Sequence, residues 1–465
     1  MGRGDEPGLS RQAYADKNAP PAAKSSVLGT TAVSLPFPRF RATAGDQLGS
    51  QAESAFARTR MKILESFTPS QPVSDRRRFA GRLDVLTSVI RAIEEQRLHV
   101  VVYGERGLGK TSVMHVLTQA ARDARYLVVY VSCGADSNFD EVFRTVAAHI
   151  PMLFHSTVGP TSPEVEKGRT LAHILPSIPI SPRIASDILA KVVGTRVVVV
   201  LDEFDRCLSE EFRQNVAELI KNLSDRLVRV QLVIAGVAGN LTELLEHIPS
   251  IQRNIFALQV PWMPPSEIGL LIKNGGSLCG LTFDDAAEHA IVSAAHGSPY
   301  LATLLGHHAG LSALDDQRVK VGGADVLSAI QSAAQEFYGR MSGRVRSQLK
   351  NYTDVGKTSL FGVVAGASLL SNGSFRIEDL WASAAGEGVL GSEEAIAELV
   401  RAGLLIESNL GEGRVYRFSE DGIAAYLWLQ SVEAKLRDAQ SGSSVAGIAL
   451  AMPQPENTEL RRSVP

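Results

Sequence analysis

The feature that most constrains this chain is the segment Gly104-Glu105-Arg106-Gly107-Leu108-Gly109-Lys110-Thr111. It lies between an apolar run, Leu98 to Tyr103, and a helix-forming stretch that continues through Ser112-Val113-Met114-His115-Val116-Leu117. Glycines let the backbone turn tightly, so that successive N–H groups face a polyphosphate. The helix that follows points its positive end at the same anion. Lys110 then reaches the β- and γ-phosphates and the Thr111 hydroxyl ligates Mg²⁺, with Glu105, Arg106, Leu108 and Ser112 completing the loop. A loop of this kind implies a bound nucleoside triphosphate. It also demands a strand before it and a helix after it.

A length of 465 residues suggests two or three domains, and 45% hydrophobic with 21% charged residues is ordinary for a globular protein. Lys plus Arg (47) nearly balances Asp plus Glu (50), so any nucleic-acid contact would have to be a local patch. The cysteines Cys133, Cys207 and Cys279 are odd in number and widely spaced, which supports neither a disulfide framework nor a zinc site. No run approaches membrane-spanning length, the N-terminus lacks a secretory apolar core, and Glu6 stands where a myristoylation signal needs Ser or Thr. The cytoplasm, with no membrane partner, is the expectation.

Composition and periodicity divide the chain. Residues 1–50 and 438–465 are read as disordered tails, and 51–78 as a helical lead-in. Residues 79–262 alternate strands (Leu98–Tyr103, Tyr126–Ser132, Arg196–Leu201, Val228–Ala235, Ile255–Val260) with helices such as Ser209–Leu227. Near-continuous apolar strands in this pattern predict a parallel sheet covered on both faces. Residues 263–343 turn helical and form a lid, broken at Gly297-Ser298-Pro299. Residues 344–437 read as helices (among them Ile377–Ala384 and Ser392–Ala402) followed by a hairpin, Leu404–Ser408 and Val415–Phe418, around a five-residue turn. The expected fold is an α/β P-loop NTPase core, a helical lid and a C-terminal winged helix.

A second motif narrows the chemistry. Val197-Val198-Val199-Val200-Leu201 ends in Asp202-Glu203, delivering two carboxylates at the strand edge where α/β sheets place their ligands. Asp202 suits the Mg²⁺ shell, and Glu203 can polarise a water for attack on the γ-phosphorus. Adjacent acids at that point favour hydrolysis over transfer. No Asn-Lys-x-Asp segment for guanine is present, so ATP is the expected nucleotide.

Phe79-Ala80-Gly81-Arg82, the phosphate loop and Asp202-Glu203-Phe204-Asp205 together resemble AAA+ ATPases of the origin-recognition/initiator clade and the related STAND switch ATPases. The resemblance extends over about residues 75–435. It implies that Gly81 and Arg82 lie near the adenine, although Leu83 and Val85 stand where Glu is common. It places a polar γ-phosphate sensor at Asn240, which serves equally well as the cap of the next helix. It places an arginine finger at Arg253, for which a solvated surface residue is the alternative; a finger would require an ATP-dependent homo-oligomer. Gly297-Ser298-Pro299-Tyr300 lacks the arginine that initiator relatives keep there. Its Gly-x-Pro form resembles STAND ATPases, in which Pro299 would join lid to nucleotide. A capped helix end with a proline start explains the same residues.

Other features carry less. Gly356-Lys357-Thr358-Ser359 mimics the end of a phosphate loop without its first glycine; His289, His296, His307 and His308 follow no ligand spacing; Arg76-Arg77-Arg78 reads as a solvated face. The expected recognition helix begins Ser392-Glu393-Glu394, with Ser392 as its cap and three Glu against one Arg along it, the wrong sign for phosphate. Positive charge is confined to Arg414, Arg417, Arg344, Arg346 and Lys350. The expectation is therefore an ATP-hydrolysing AAA+/STAND-like switch that couples nucleotide state to an unidentified protein partner. The alternative is an ATP-dependent, DNA-binding initiator-type protein; a third reading is nucleotide sensing with negligible hydrolysis.

Overall fold

The computed structural model describes residues 55–226, 229–245, 249–350, 358–371, 373–383, 391–410 and 413–441. The expected tail 1–50 and most of 438–465 lie outside them, as do 356 and 357 of the phosphate-loop mimic.

After α1 (Ala55–Ser66) come α2 (Leu83–Glu94), β1 (His99–Gly104), α3 (Lys110–Asp123), β2 (Leu127–Ser132), α4 (Phe139–Ala148), α5 (Pro163–Glu166) and α6 (Pro182–Leu189). Then follow β3 (Val197–Asp202), α7 (Glu210–Asp225), β4 (Val230–Val237), α8 (Leu241–Leu245) and β5 (Ile255–Gln259). The five strands form one parallel sheet in the order β2-β3-β4-β1-β5. Each sits within two residues of the strand read from the sequence.

The period-two rule explains both faces of the sheet. Val197, Val199 and Leu201 pack with Phe143, Phe212 and Leu219 on one side, while Val198 and Val200 pack with Val89, Val113 and Met114 on the other. All of β3 through Leu201 is at most 1% exposed. At roughly 2 kcal/mol for each buried valine, this strand is the hydrophobic axis of the unit, and its polar end, Asp202, must emerge at the edge.

Next come α9 (Pro265–Cys279), β6 (Thr282–Phe283), α10 (Asp285–Ala295), α11 (Pro299–Asp315), β7 (Lys320–Val321) and α12 (Gly323–Arg340). The parallel pair β6–β7 is a departure from the all-helical expectation, because two-residue strands leave no periodic signal. α1 joins this group: Phe67, just past its end, is fully buried, and a Cβ at Gly275 or Gly306 would fall 2.5–2.7 Å from its ring. What reads as a lead-in is therefore part of the core of this helical group.

The chain ends with α13 (Gly343–Lys350), α14 (Thr358–Leu370), β8 (Ser374–Phe375), α15 (Ile377–Ser383), α16 (Ser392–Arg401), β9 (Leu405–Leu410), β10 (Gly413–Phe418) and α17 (Ile423–Ser441). The strands order β8-β10-β9. Leu410 pairs with Gly413, so the strands take in both ends of the stretch read as a five-residue turn; 411 and 412 lie outside the described residues. The cap position of α16 is Gly391 (φ 94°), one residue ahead of the expected Ser392. α17 runs past the 437 boundary. Residues of α9–α12 and of this unit, from Ile268 to Val432, share one continuous hydrophobic core, so the boundary drawn at 343 does not separate two cores.

Candidate functional site

The phosphate loop leaves the C-terminal end of β1 at Gly104 and enters α3 at Lys110, with Gly107 (φ 82°) and Gly109 (φ 84°) in the left-handed region that favours glycine. Leu108 is 1% exposed and packs with α2 and α3, so only its backbone can meet a phosphate. The Lys110 ammonium donates to the carbonyls of Gly104 (2.9 Å) and Glu105. Burial lowers its pKa to about 8, against the opposing pull of Asp205, Asp202 and Glu105. Burial likewise raises the Glu105 carboxyl to about 7. Ser112 accepts a hydrogen bond from the Val73 N–H at 3.0 Å, which straps the segment after α1 onto the loop's helix. The sequence singled out Ser112 for the nucleotide; the structure shows it holding that strap. Arg106 is exposed and lies 3.6 Å from Asp421 beyond β10.

The acidic pair sits at the end of β3. Asp202 is 4% exposed; one oxygen accepts the Glu203 N–H (2.9 Å) and the other accepts the Tyr130 hydroxyl. Burial and the neighbouring carboxylates push the Tyr130 phenol upward in pKa, so it remains a donor. Glu203 takes left-handed backbone angles (φ 55°, ψ 35°), uncommon outside glycine. Its carboxylate accepts from Ser132 Oγ (2.9 Å) and pairs with Arg206 (3.1 Å). Asp205 accepts the Val237 N–H at 2.7 Å, tying the end of β4 to the acidic turn. Sequence reasoning missed Tyr130 and Ser132. Their only signal was two hydroxyl residues alternating at the end of a strand whose neighbour was unknown.

The Phe79–Arg82 box meets α9. Gly81 (φ 70°) faces Glu267 of α9 so closely that a Cβ would lie 2.5 Å from its carboxylate. Arg82 is buried; its backbone N–H donates to the Glu267 carboxylate (3.0 Å) and its guanidinium to the Pro261 carbonyl (2.7 Å). Burial lowers the guanidinium to about 10, and its Nε has no hydrogen-bond partner.

At the lid break, Ser298 caps α11 by accepting the Leu301 N–H (3.3 Å), and Pro299 opens the helix. The capped-end reading is thus right locally, but the segment also closes on the phosphate loop. A Cβ at Gly107 would meet Tyr300 at 3.4 Å, and one at Gly109 would meet Pro299 at 3.8 Å. Asn240 and Arg253 are both exposed, beyond β4 and before β5. Of the four histidines singled out, only His307 and His308 meet, ring to ring at 5.5 Å. His289 bonds the Asp285 carbonyl, His296 that of Gly366, His307 that of Phe67, and His308 the Glu336 carboxylate, and among the described residues no group of three could hold a metal.

A hydroxyl at Thr111 and a carboxylate at Asp202 are hard oxygen donors, the chemistry that a magnesium ion requires. Among the described residues no helix is long and apolar enough to cross a membrane.

Residues 93–245, roughly a third of the chain, match the family model of the AAA domain. The matched stretch holds the phosphate loop, the acidic pair and four of the five strands, which supports an AAA-type ATPase domain there. Comparison with curated proteins gives no match. Solved structures resembling the chain include a Walker-type ATPase of Pyrococcus abyssi, 15% identical with a TM-score of 0.46, covering 78% of this chain and 99% of that one. Cdc6p of Pyrobaculum aerophilum is 12% identical with a TM-score of 0.41 (81% and 98% covered). The RuvB Holliday junction branch migration motor of Thermotoga maritima is 18% identical with a TM-score of 0.39 (75% and 95%). At these identities and scores the likenesses assign neither activity nor partner.

Proposed function

We propose that this chain is an ATP-binding and ATP-hydrolysing switch of AAA+/STAND type, in which nucleotide state sets how the lid and a C-terminal winged helix engage a protein partner. One observation supports the coupling. Pro299 and Tyr300 rest on the phosphate-loop glycines, and His296, three residues earlier, stacks on Trp428 of α17 (ring centroids 4.2 Å apart). Trp428 also donates to the Ala294 carbonyl at 2.9 Å, and Trp262 at the root of the lid donates to Leu370 of α14 at 3.3 Å. Movement at the loop is thereby passed to α14 and α17.

In the chemical step, loop N–H groups and Lys110 hold the β- and γ-phosphates, exchanging the carbonyl bonds of Lys110 for charged ones. Thr111 and Asp202 would hold Mg²⁺, which when bound neutralises phosphate charge. Glu203 accepts a hydrogen bond from a water in line with the γ-phosphorus, and Ser132 fixes that carboxylate's direction. Gly81 and Arg82 border the adenine side of the cleft, Asn240 reports on the γ-phosphate, and Arg253 enters a neighbouring subunit's site as a finger.

The test is a set of variants. Lys110→Ala should abolish ATP binding by calorimetry, while Glu203→Gln binds ATP and loses at least about a hundredfold in turnover. In the Glu203→Gln protein, ATP should shift tryptophan emission relative to ADP, because Trp262 and Trp428 lie at the lid contacts. Unchanged emission at saturating ATP would overturn the coupling. Mixing Arg253→Ala with Lys110→Ala protein should restore part of the ATPase activity if subunits complete each other's sites; strictly additive rates place Arg253 on a free surface.

A protein partner is favoured over DNA because α16 exposes Glu393 and Glu394, and Arg414 of the wing is paired with Glu407 at 3.2 Å. The exposed Arg344 and Arg346 of α13 are what the DNA reading rests on. Duplex titration across a salt series separates the two, since phosphate neutralisation gives a steep slope.

A further inference from the structure

Tyr130 is not explained by packing alone. It lies on β2, the edge strand, opposite Val200 in register, while Ser132 lies opposite Asp202. Residues two apart on a strand share a face. Their hydroxyls accordingly meet adjacent carboxylates: Tyr130 donates to Asp202 and Ser132 to Glu203. A ring that only filled space would need no hydroxyl, whereas this one ends on a carboxylate that is 4% exposed.

The Tyr130 ring also meets His115, with centroids 5.2 Å apart at 45°. His115 is on α3, four residues after Thr111, and residues at that spacing share a helix face. The phenol therefore stands between the helix that supplies the Thr111 hydroxyl and the strand that supplies Asp202. The second Asp202 oxygen is held by the Glu203 N–H at 2.9 Å. Each oxygen thus has one fixed donor and keeps one lone-pair direction for another ligand.

We propose that Tyr130, set by His115, is the positioning residue for the divalent cation: it holds Asp202 in the one orientation that presents a free lone pair beside Thr111. This rests on the reading of Asp202 as the magnesium carboxylate. Hydrogen bonds to ligating carboxylates orient them, and their loss commonly costs tenfold or more in metal affinity.

The experiment uses the full chain and a fluorescent N-methylanthraniloyl ATP, titrated with Mg²⁺ to find the midpoint at which the metal tightens nucleotide binding. Wild type is compared with Tyr130→Phe, His115→Ala and Asp202→Asn, each checked for folding by circular dichroism. Free Mn²⁺ measured by electron paramagnetic resonance gives the same ranking without turnover. Tyr130→Phe should raise the midpoint about tenfold, His115→Ala less, and Asp202→Asn most. If Asp202→Asn raises the midpoint and Tyr130→Phe leaves it unchanged, the phenol only packs and the proposal is overturned. If Asp202→Asn itself has no effect, the metal reading fails and the proposal falls with it. Should Tyr130→Phe not fold, the His115→Ala midpoint decides, an unchanged value counting against the proposal.

Discussion

The sheet side and the helical side of this chain approach the same phosphate loop by different means. On the sheet side, hydroxyls of β2 hold the carboxylates of β3 by directed hydrogen bonds, and Asp205 ties the end of β4 to the same turn. On the helical side, Pro299 and Tyr300 lie beside the glycines, 3.4–3.8 Å from where a Cβ would stand, and Arg106 faces Asp421 of the C-terminal unit in an exposed ion pair. Hydrogen bonds impose angles that dispersion contacts do not. The difference is that directed bonds hold the carboxylates in place, whereas the neighbours of the glycines on the helical side meet them by shape.

The largest expected effect is on the helical side. Trp428→Ala removes the stack on His296 and the bond to Ala294, and a Cβ at Gly366 is already 3.1 Å from that indole. A loss of roughly 3 kcal/mol is expected in urea unfolding of the lid and C-terminal unit, the low end for Trp→Ala because the ring is only partly buried. ATP affinity should change far less. An equal loss in both would erase the contrast between the two sides.

A second test sharpens the sheet side through pH. Lys110 is lowered to about 8 and Glu105 raised to about 7, both by burial. Below pH 7 the lysine is charged and the glutamate neutral, the pair best suited to an anion. As pH rises through 7 the glutamate ionises, and through 8 the lysine loses its proton, so ATP affinity should fall, approaching tenfold per unit above 8. Glu105→Gln should remove the earlier part of the fall. A flat profile from pH 7 to 9.5 would show that Lys110 keeps its charge.

The smallest effect belongs to Arg106 and Asp421, whose side chains are 83% and 98% exposed. A double-mutant cycle on unfolding free energy should give a coupling below about 1 kcal/mol, shrinking with salt. A larger value would mean that the C-terminal unit is clamped to the loop.

How much could be read beforehand follows the same division. All five strands were legible because β-branched residues in unbroken runs, punctuated by glycine and acid, admit little else. The phosphate loop and the acidic pair were legible because their function demands fixed local spacing. The helical half was legible as helices but not as an assembly. α11 and α14 are apolar on most faces, with Leu301, Leu305 and Ala309 buried in one and Phe361, Val364 and Ala367 in the other. A helix without a polar side does not announce its neighbours. Hence the shared core of lid and C-terminal unit, and the place of Phe67 within it, were invisible.

The sequence by itself determined the individual strands, the strand–loop–helix phosphate site and the carboxylates at the end of β3, since each is a matter of residues within a few positions of one another. Tertiary structure alone decided that Tyr130 and Ser132 meet those carboxylates, that Gly81 lies against Glu267, that Pro299 lies beside Gly109, and that Ser112 holds Val73. Such contacts join residues from about 39 to 190 positions apart. They depend on strand order and helix docking, which arise from the packing of whole faces and leave no mark in any local spacing.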